Sequence, residues 1–345
     1  MAKASSLRST TQSNGVFQVK SKLLNRASGL KLVSIAAVAL LAGAAQAVPV
    51  LNLDLGVAKN YSGFFFGNAS KVMDVEGKLA VGGNLDTTGF SFGYRTPHGD
   101  SSPSLVVGGN VALGNGVIFK GPQANIDTNA TVGPITNWEK PIGYGVFGGQ
   151  NSSSPLHDLR QAKVIDFGAA KTQLTTLSST LAAGKANGTD EAKWGGLYLT
   201  GDGTSDLQIF DVNGGELQNL FLENIKQGAH VLVNVHGSDA VTFSGGQDGQ
   251  LEAFRGNILF NLIDATEVKI STFTYGTILA TKANVIGTGH IEGSIIANSI
   301  SAQVEIGYEP FNNVSAVPEP QTYALMLAGL AGVAFMARRR KMSGH

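Results

Sequence analysis

The sequence predicts a mainly β protein: a β-helix or solenoid-like body with one long flanking α-helix at about residues 158–184, plus an N-terminal signal helix and a C-terminal membrane helix. Three observations carry that reading. Gly makes up 45 of the 345 residues, only 14% are charged and Cys is absent, a composition suited to short strands and tight turns rather than a helical bundle. Aliphatic runs recur behind Gly in the second half. A single stretch shows helical periodicity.

From the N-terminus, six cations (Lys3, Arg8, Lys20, Lys22, Arg26 and Lys31) precede the apolar run LVSIAAVALLAGAA at 32–45. Ala45 and Ala47 then frame an A-x-A site, so residues 1–47 read as a signal peptide removed by signal peptidase. The alternative is an uncleaved anchor helix. Outside the cytoplasm a chain without Cys has no disulfides to draw on, so stability must come from β ladders and a stacked apolar interior.

The body follows, at 48–313. LAVGGNL at 79–85 returns as LVVGGNV at 105–111, each a β-branched run closed by Gly-Gly-Asn, which reads as strand, corner, strand. The offset of 26 residues is irregular for a strict repeat but fits successive coils. Later, GNILFNLIDATEVKIS, GTILATKANVIG and GSIIANSISAQVEI open at Gly256, Gly276 and Gly293, with spacings of 20 and 17. That is about one coil, whose hydrophobic interior closes only by stacking on its neighbours. A hairpin sandwich is the alternative, and the repeated openings favour coils.

The helix is read from Phe167, Ala170, Leu174, Leu177 and Leu181, whose steps of three and four make one apolar face, with Gly184 closing it. It is expected to lie along the solenoid and cover part of its core.

The tail, 314–345, has three parts in order. Val317, Pro318, Glu319 and Pro320 form a motif, residues 322–337 an apolar helix, and Arg338, Arg339, Arg340 and Lys341 a basic end that would stay cytoplasmic. The apolar stretch from 323 to 337 spans only about 22 Å as a helix, short of the ~30 Å hydrocarbon core. This order resembles the PEP-CTERM sorting signal of Gram-negative bacteria. The resemblance implies an exosortase as partner, transient inner-membrane anchoring, cleavage near the motif, and a cell-surface destination alongside exopolysaccharide. A plain membrane tail is the alternative.

In the body, MDVEGKLAVGGN, VIDFGAAKTQLTTLSSTLA, HVLVNVHG, GNILFNLIDATEVKI, GTILATKANV and GSIIANSI together resemble the choice-of-anchor A family of bacterial surface proteins. Where that family often has Trp-Asn-Phe, this chain has Phe260-Asn261-Leu262, and its usual Leu-Ala-Pro appears as Leu279-Ala280-Thr281. The order of coil, helix and coil also resembles ice-binding proteins built on a β-helix with one flanking helix.

Charge excludes one partner class. Without the ten terminal cations and Glu319, residues 48–316 hold 15 basic and 24 acidic residues, a net charge near −9, so nucleic acid is not expected. Nor do the residues announce catalysis, a cofactor or a metal. The histidines form no H-E-x-x-H pair and there is no G-x-S-x-G elbow. His230 and His236 could share a strand face, Asp202 and Asp206 lie in the turn-like GDGTSD, and GTGHIEG at 287–293 reads as a solenoid corner rather than a dinucleotide loop. Thr272, Thr274, Thr277, Thr281 and Thr288 keep no single step, so an ice-binding array is not expected. The chain reads as an exported, non-enzymatic adhesin associated with exopolysaccharide or extracellular matrix. An extracellular polysaccharide-active enzyme and a structural coat or floc component are the alternatives.

Overall fold

The structure is a computed structural model that describes residues 51–97, 100–121, 142–247, 249–313 and Gly329. The body is a three-sided coil of parallel strands, and Phe273–Gly287 shows one whole turn of it. Its start, middle and end each pair with the next turn, through Phe273↔His290, Ile278↔Ile295 and Val285↔Ile300. The 17-residue spacing from Gly276 to Gly293 is a true rung. The 20-residue spacing before it is not: Leu259 pairs with Thr277, an offset of 18, because Arg255–Asn257 forms a 3-10 turn leading into the strand. Leu79 pairs directly with Leu105, so the 26-residue phrase repeat also marks adjacent rungs.

The rungs are not stacked in chain order. Gly63–Phe65, Leu79–Val81, Leu105–Val107, Gly145–Phe147 and Leu159–Gln161 build outward in one direction. The chain then crosses to the far end and returns through Leu207–Asn213, His230–His236, Ile258–Leu262, Phe273–Gly287 and His290–Ser301. The last coil closes on the first, with Gly63 opposite Ile295. Ten rungs at about 4.8 Å make a ladder about 43 Å long. The crossing segment must span most of it.

That segment contains the long helix, Phe167–Ala182. It is shorter than the expected 158–184, since Leu159–Gln161 is a strand paired with Gly145–Phe147. The β-branched Val164 and Ile165 favour extended backbone, and Asp166 then sets the start as N-cap, its Oδ1 accepting the Ala169 N–H at 2.9 Å. Sixteen residues give about 24 Å of helix, and the five extended residues before it add about 16 Å.

Of the expected face, Ala170, Leu174 and Leu181 are buried, and Phe167 and Leu177 are partly buried against the same core. They pack on a column made of one residue from each rung, including Val146, Val106, Phe64, Ile296, Leu259 and Ile209. A second core fills the coil itself, with Phe65, Phe92, Phe210, Phe243 and Phe260 fully buried. The side under the helix is therefore buried on both faces and reads as unbroken apolar runs such as LAV and LVV. Open sides alternate, as in EVKI.

Helix and ladder are also joined by a buried polar bridge. Asn261 Nδ2 donates to Ser178 O and to Asn234 Oδ1, both at 2.9 Å, while Ser178 Oγ donates to Asn261 Oδ1 at 2.6 Å. Asn234 Nδ2 in turn donates to Leu181 O at 3.0 Å, serving a carbonyl of the last helical turn.

Gly-Gly-Asn marks a stacked corner. The Asn84 N–H donates to Asn68 Oδ1, Asn110 N–H to Asn84 Oδ1, and Gln150 N–H to Asn110 Oδ1, at 2.8–2.9 Å. The glycines are required by close approach rather than by unusual dihedrals: a Cβ on Gly108 would lie 2.5 Å from Gly82 O. Gly108→Ala should therefore cost about 2 kcal/mol by overpacking, read as a lower midpoint in urea unfolding.

Candidate functional site

Two sides of the coil are free of the helix and offer surface for recognition. On one of them the outward residues form a continuous row. Ala112, Asp86, Ser70 and Ser301 follow in register. Ile286, Lys269, Thr242 and Glu216 continue it, the two runs meeting through the Val285↔Ile300 pair. Beside it Ser299 Oγ donates to Asn284 Oδ1 at 3.0 Å. Eight rungs make this row about 34 Å long. Apart from Ile286, its side chains are small or of mixed charge, and only Ser occurs more than once, at Ser70 and Ser301.

The third side carries a charged cluster where the first coil meets the last. Asp74 lies opposite Ser91 on one side, and Ile306 pairs with Val75, which brings Glu305 beside Asp74. Glu305 in turn pairs with His290, and His290 with Phe273. Glu76 belongs to the first coil and Glu292 to the last, and each side chain is only 10% exposed. Arg95 bridges them, with Nη1 contacting Glu76 Oε2 and lying 2.9 Å from Glu292 Oε1. Tyr94 OH donates to Glu76 Oε1 at 2.8 Å, and the Tyr308 N–H donates to Glu76 Oε2 at 3.1 Å. His290 stands 3.4 Å from both Glu292 and Glu305.

Burial, with Glu305 and Glu76 nearby, pushes the Asp74 carboxyl up to about 6. Burial works against a charged His290, but the neighbouring carboxylates of Glu292 and Glu305 outweigh it and raise the imidazole. Burial would raise Glu292, yet His290 and Arg95 overcome it and hold that carboxyl low.

These shifts fix a pH response. The native Asp74 holds a proton that the unfolded chain, near 3.8, releases, so stability falls as pH rises from about 4 to about 6. The His290 contribution is complete below about 6.5 and is lost as pH climbs through the raised folded value. Glu292 acts oppositely and loses its contribution below about 4.5. The junction is thus firmest in mildly acidic solution. Asp74→Asn should flatten the decline above pH 4 and stabilise the protein at pH 7 by about 1 kcal/mol after discounting for solvent screening. Thermal melts across pH 4–8 read this directly.

Other residues singled out by sequence take structural places. His230 and His236 sit at opposite ends of one strand, about 20 Å apart, too far to share an ion. His230 Nε2 lies 2.7 Å from Asn312 O, and His236 lies 3.6 Å from Asp211. Asp202 organises its own turn, accepting from the Thr204 and Ser205 N–H groups at 2.8 Å each, and those bonds, led by the one from the Ser205 hydroxyl, lower its carboxyl. Asp206 pairs with Lys226 at 2.6 Å. Among the described residues no group of three His, Asp or Glu side chains is placed to hold a metal ion.

Ala45, Ala47, Val317, Pro318, Glu319, Pro320 and the Arg338, Arg339, Arg340, Lys341 cluster lie outside the described residues. No helix among the described residues is long and apolar enough to cross a membrane, and 322–337 is not among them.

Sequence reasoning missed the junction cluster. Its partners are far apart in the chain, 197 residues for Arg95 and Glu292. The one local signal was polar residues at alternate positions of short apolar strands.

Comparison with known proteins places these features. Residues 54–308 match a family described as "Putative Ice-binding-like adhesive domain", and residues 316–341 match the PEP-CTERM protein-sorting motif. The body thus matches under that description rather than as choice-of-anchor A. No curated protein matches.

Among solved structures, an ice-binding protein from an Antarctic Biological Consortium is 16% identical, covering 74% of this chain and 89% of its own, at a TM-score of 0.35. The ice-binding protein of the Antarctic ascomycete Antarctomyces psychrotrophicus is 12% identical, covering 76% and 100%, at 0.36. An ice-binding protein from Shewanella frigidimarina is 11% identical, covering 76% and 99%, at 0.27.

Proposed function

Because the chain belongs to the family of ice-binding-like adhesive domains, we propose that it is a non-enzymatic cell-surface adhesin that contacts exopolysaccharide or extracellular matrix through its uncovered solenoid sides. It is an exported protein, and its PEP-CTERM motif implies processing by an exosortase.

The observation that carries the reading is the outward row from Ala112 to Glu216, about 34 Å of mostly small or polar side chains at rung spacing. Such a surface suits a repetitive partner held by many weak contacts, whose avidity grows with the number engaged. The mixture does not suit a lattice that demands one side chain at a fixed step. A non-enzymatic role is supported by the third side, where Arg95 already engages both Glu76 and Glu292.

The test is sedimentation of the exported protein with extracellular matrix stripped from producing cells. Co-sedimentation is expected, without release of reducing ends and without ice-recrystallisation inhibition at the same concentration. Failure to co-sediment under conditions where intact cells adhere would sink the reading, and release of reducing ends would replace it with the enzyme.

The tail belongs to the same reading. It holds the chain in the inner membrane until cleavage near Val317, Pro318, Glu319 and Pro320 releases it to the surface. Intact-mass measurement of surface protein should show a C-terminus near Pro320. A mass that still includes Arg338 to Lys341 would restore a simple anchor.

A further inference from the structure

The coil ends in a hairpin whose tip is out of character with the rest of the surface. Thr189–Lys193 pairs antiparallel with Gly196–Thr200, leaving Trp194 and Gly195 as the two-residue turn. Both have positive φ, +50° and +77°, which is the pattern of a type I′ turn, where Asn-Gly is favoured. A Trp in that conformation crowds its own Cβ against the backbone, and here its side chain gains no burial in exchange. Trp194 is 85% exposed. Fold stability does not account for it, and strain retained at an exposed position points to use.

The indole is nevertheless held. Tyr198 meets it edge-on at 5.6 Å and stacks on Phe221 at 4.4 Å with 10° between the planes. The Lys193 ammonium lies 4.5 Å from the Tyr198 ring centre and 5.1 Å from that of Trp194. Trp194 also borders a groove of about 520 Å³ shared with Asp190, Asn213, Glu216 and Gln218.

We propose that this hairpin is a binding platform for a neutral polysaccharide, with Trp194 stacking on the C–H face of a pyranose ring and the groove carboxylates and amides taking its hydroxyls. The proposal deepens the adhesin reading and rests on it.

The chemistry selects the occupant. A sugar ring presents a flat apolar face edged by hydroxyls that need both acceptors and donors, and the site offers one flat aromatic surface edged by both. A protein partner would bury its aromatic anchor in a core depleted of Asp, Glu and Lys, whereas Trp194 is flanked by Asp190, Glu191 and Lys193. Asp190 and Glu216 in the groove also disfavour a polyanion.

The test compares the exported protein with Trp194→Asn, which places the favoured residue at the turn and should melt at the same temperature or higher. Affinity electrophoresis in gels containing hydroxyethyl cellulose or dextran should retard the parent and leave the variant at least tenfold weaker. Alginate should retard neither. In the parent, titration with the neutral polymer should shift Trp emission to the blue.

Equal retardation of parent and variant, or no retardation of the parent by either neutral polymer, would overturn the platform while matrix co-sedimentation still decides the adhesin reading. A concentration-dependent dimer of the parent that Trp194→Asn abolishes would also overturn it, in favour of self-association.

Discussion

Arg95→Met should destabilise the body by about 3 kcal/mol, among the largest effects expected from a single polar side chain. The guanidinium is the shared partner of Glu76 and Glu292, each only 10% exposed. Removing it leaves two buried carboxylates without the cation they share, so the loss reflects repulsion and desolvation more than the worth of either ion pair. For a domain of this size the midpoint should drop by roughly 6–12 °C.

A companion variant separates the causes. In Arg95→Met combined with Glu292→Gln most of the loss should return, because one of the two stranded charges is gone. Hydrogen exchange should show the deficit concentrated in 63–76 and 290–306, the segments on either side of the junction. A change below 1 kcal/mol for Arg95→Met would mean that the seam holds by packing alone.

The second large effect is expected at the other end of the scale of polarity. Asn261→Ala should cost about 3 kcal/mol. The side chain has no exposure and makes three hydrogen bonds, two to Ser178 and one to Asn234. Its loss strands the Ser178 hydroxyl and the Asn234 carbonyl oxygen between helix and ladder, and leaves a small cavity besides. Ser178→Ala should cost only about 1 kcal/mol, since it strands one acceptor, Asn261 Oδ1, where Asn261→Ala strands two groups and opens a cavity. Urea unfolding of the two variants checks the ratio. Equal costs would show that the helix docks by its apolar face and that the bridge adds nothing.

The sequence made some of this legible and hid the rest for a physical reason. Coils could be read because each rung repeats a short local pattern: an apolar run, then a corner of Gly and Asn. The helix face could be read because Ala170, Leu174 and Leu181 recur with helical period in a chain otherwise made of short apolar runs and alternating strands. Its start was misplaced because residues 158–163 are polar in a way that fits an exposed edge strand as well as a first helical turn. The order of the rungs was invisible. Nothing local in Gly63 or Ile295 says that they are neighbours, and every contact of the junction depends on that pairing. Trp194 was equally silent, since an isolated Trp before Gly gains meaning only once the hairpin fixes it at a turn.

The closing of the last coil on the first has a mechanical consequence. Asn313, the last residue described before the tail, accepts from the Leu55 N–H at 3.4 Å and donates to Asp54 at 3.3 Å. Entry and exit of the body therefore lie together, beside the middle of the stack rather than at either tip. A pull transmitted through the chain after Asn313 would load the solenoid like a beam gripped at its waist, with both tips swinging free. Tension would bear first on the seam between 63–76 and 290–306, and the strands under the helix would be peeled only after that seam had parted.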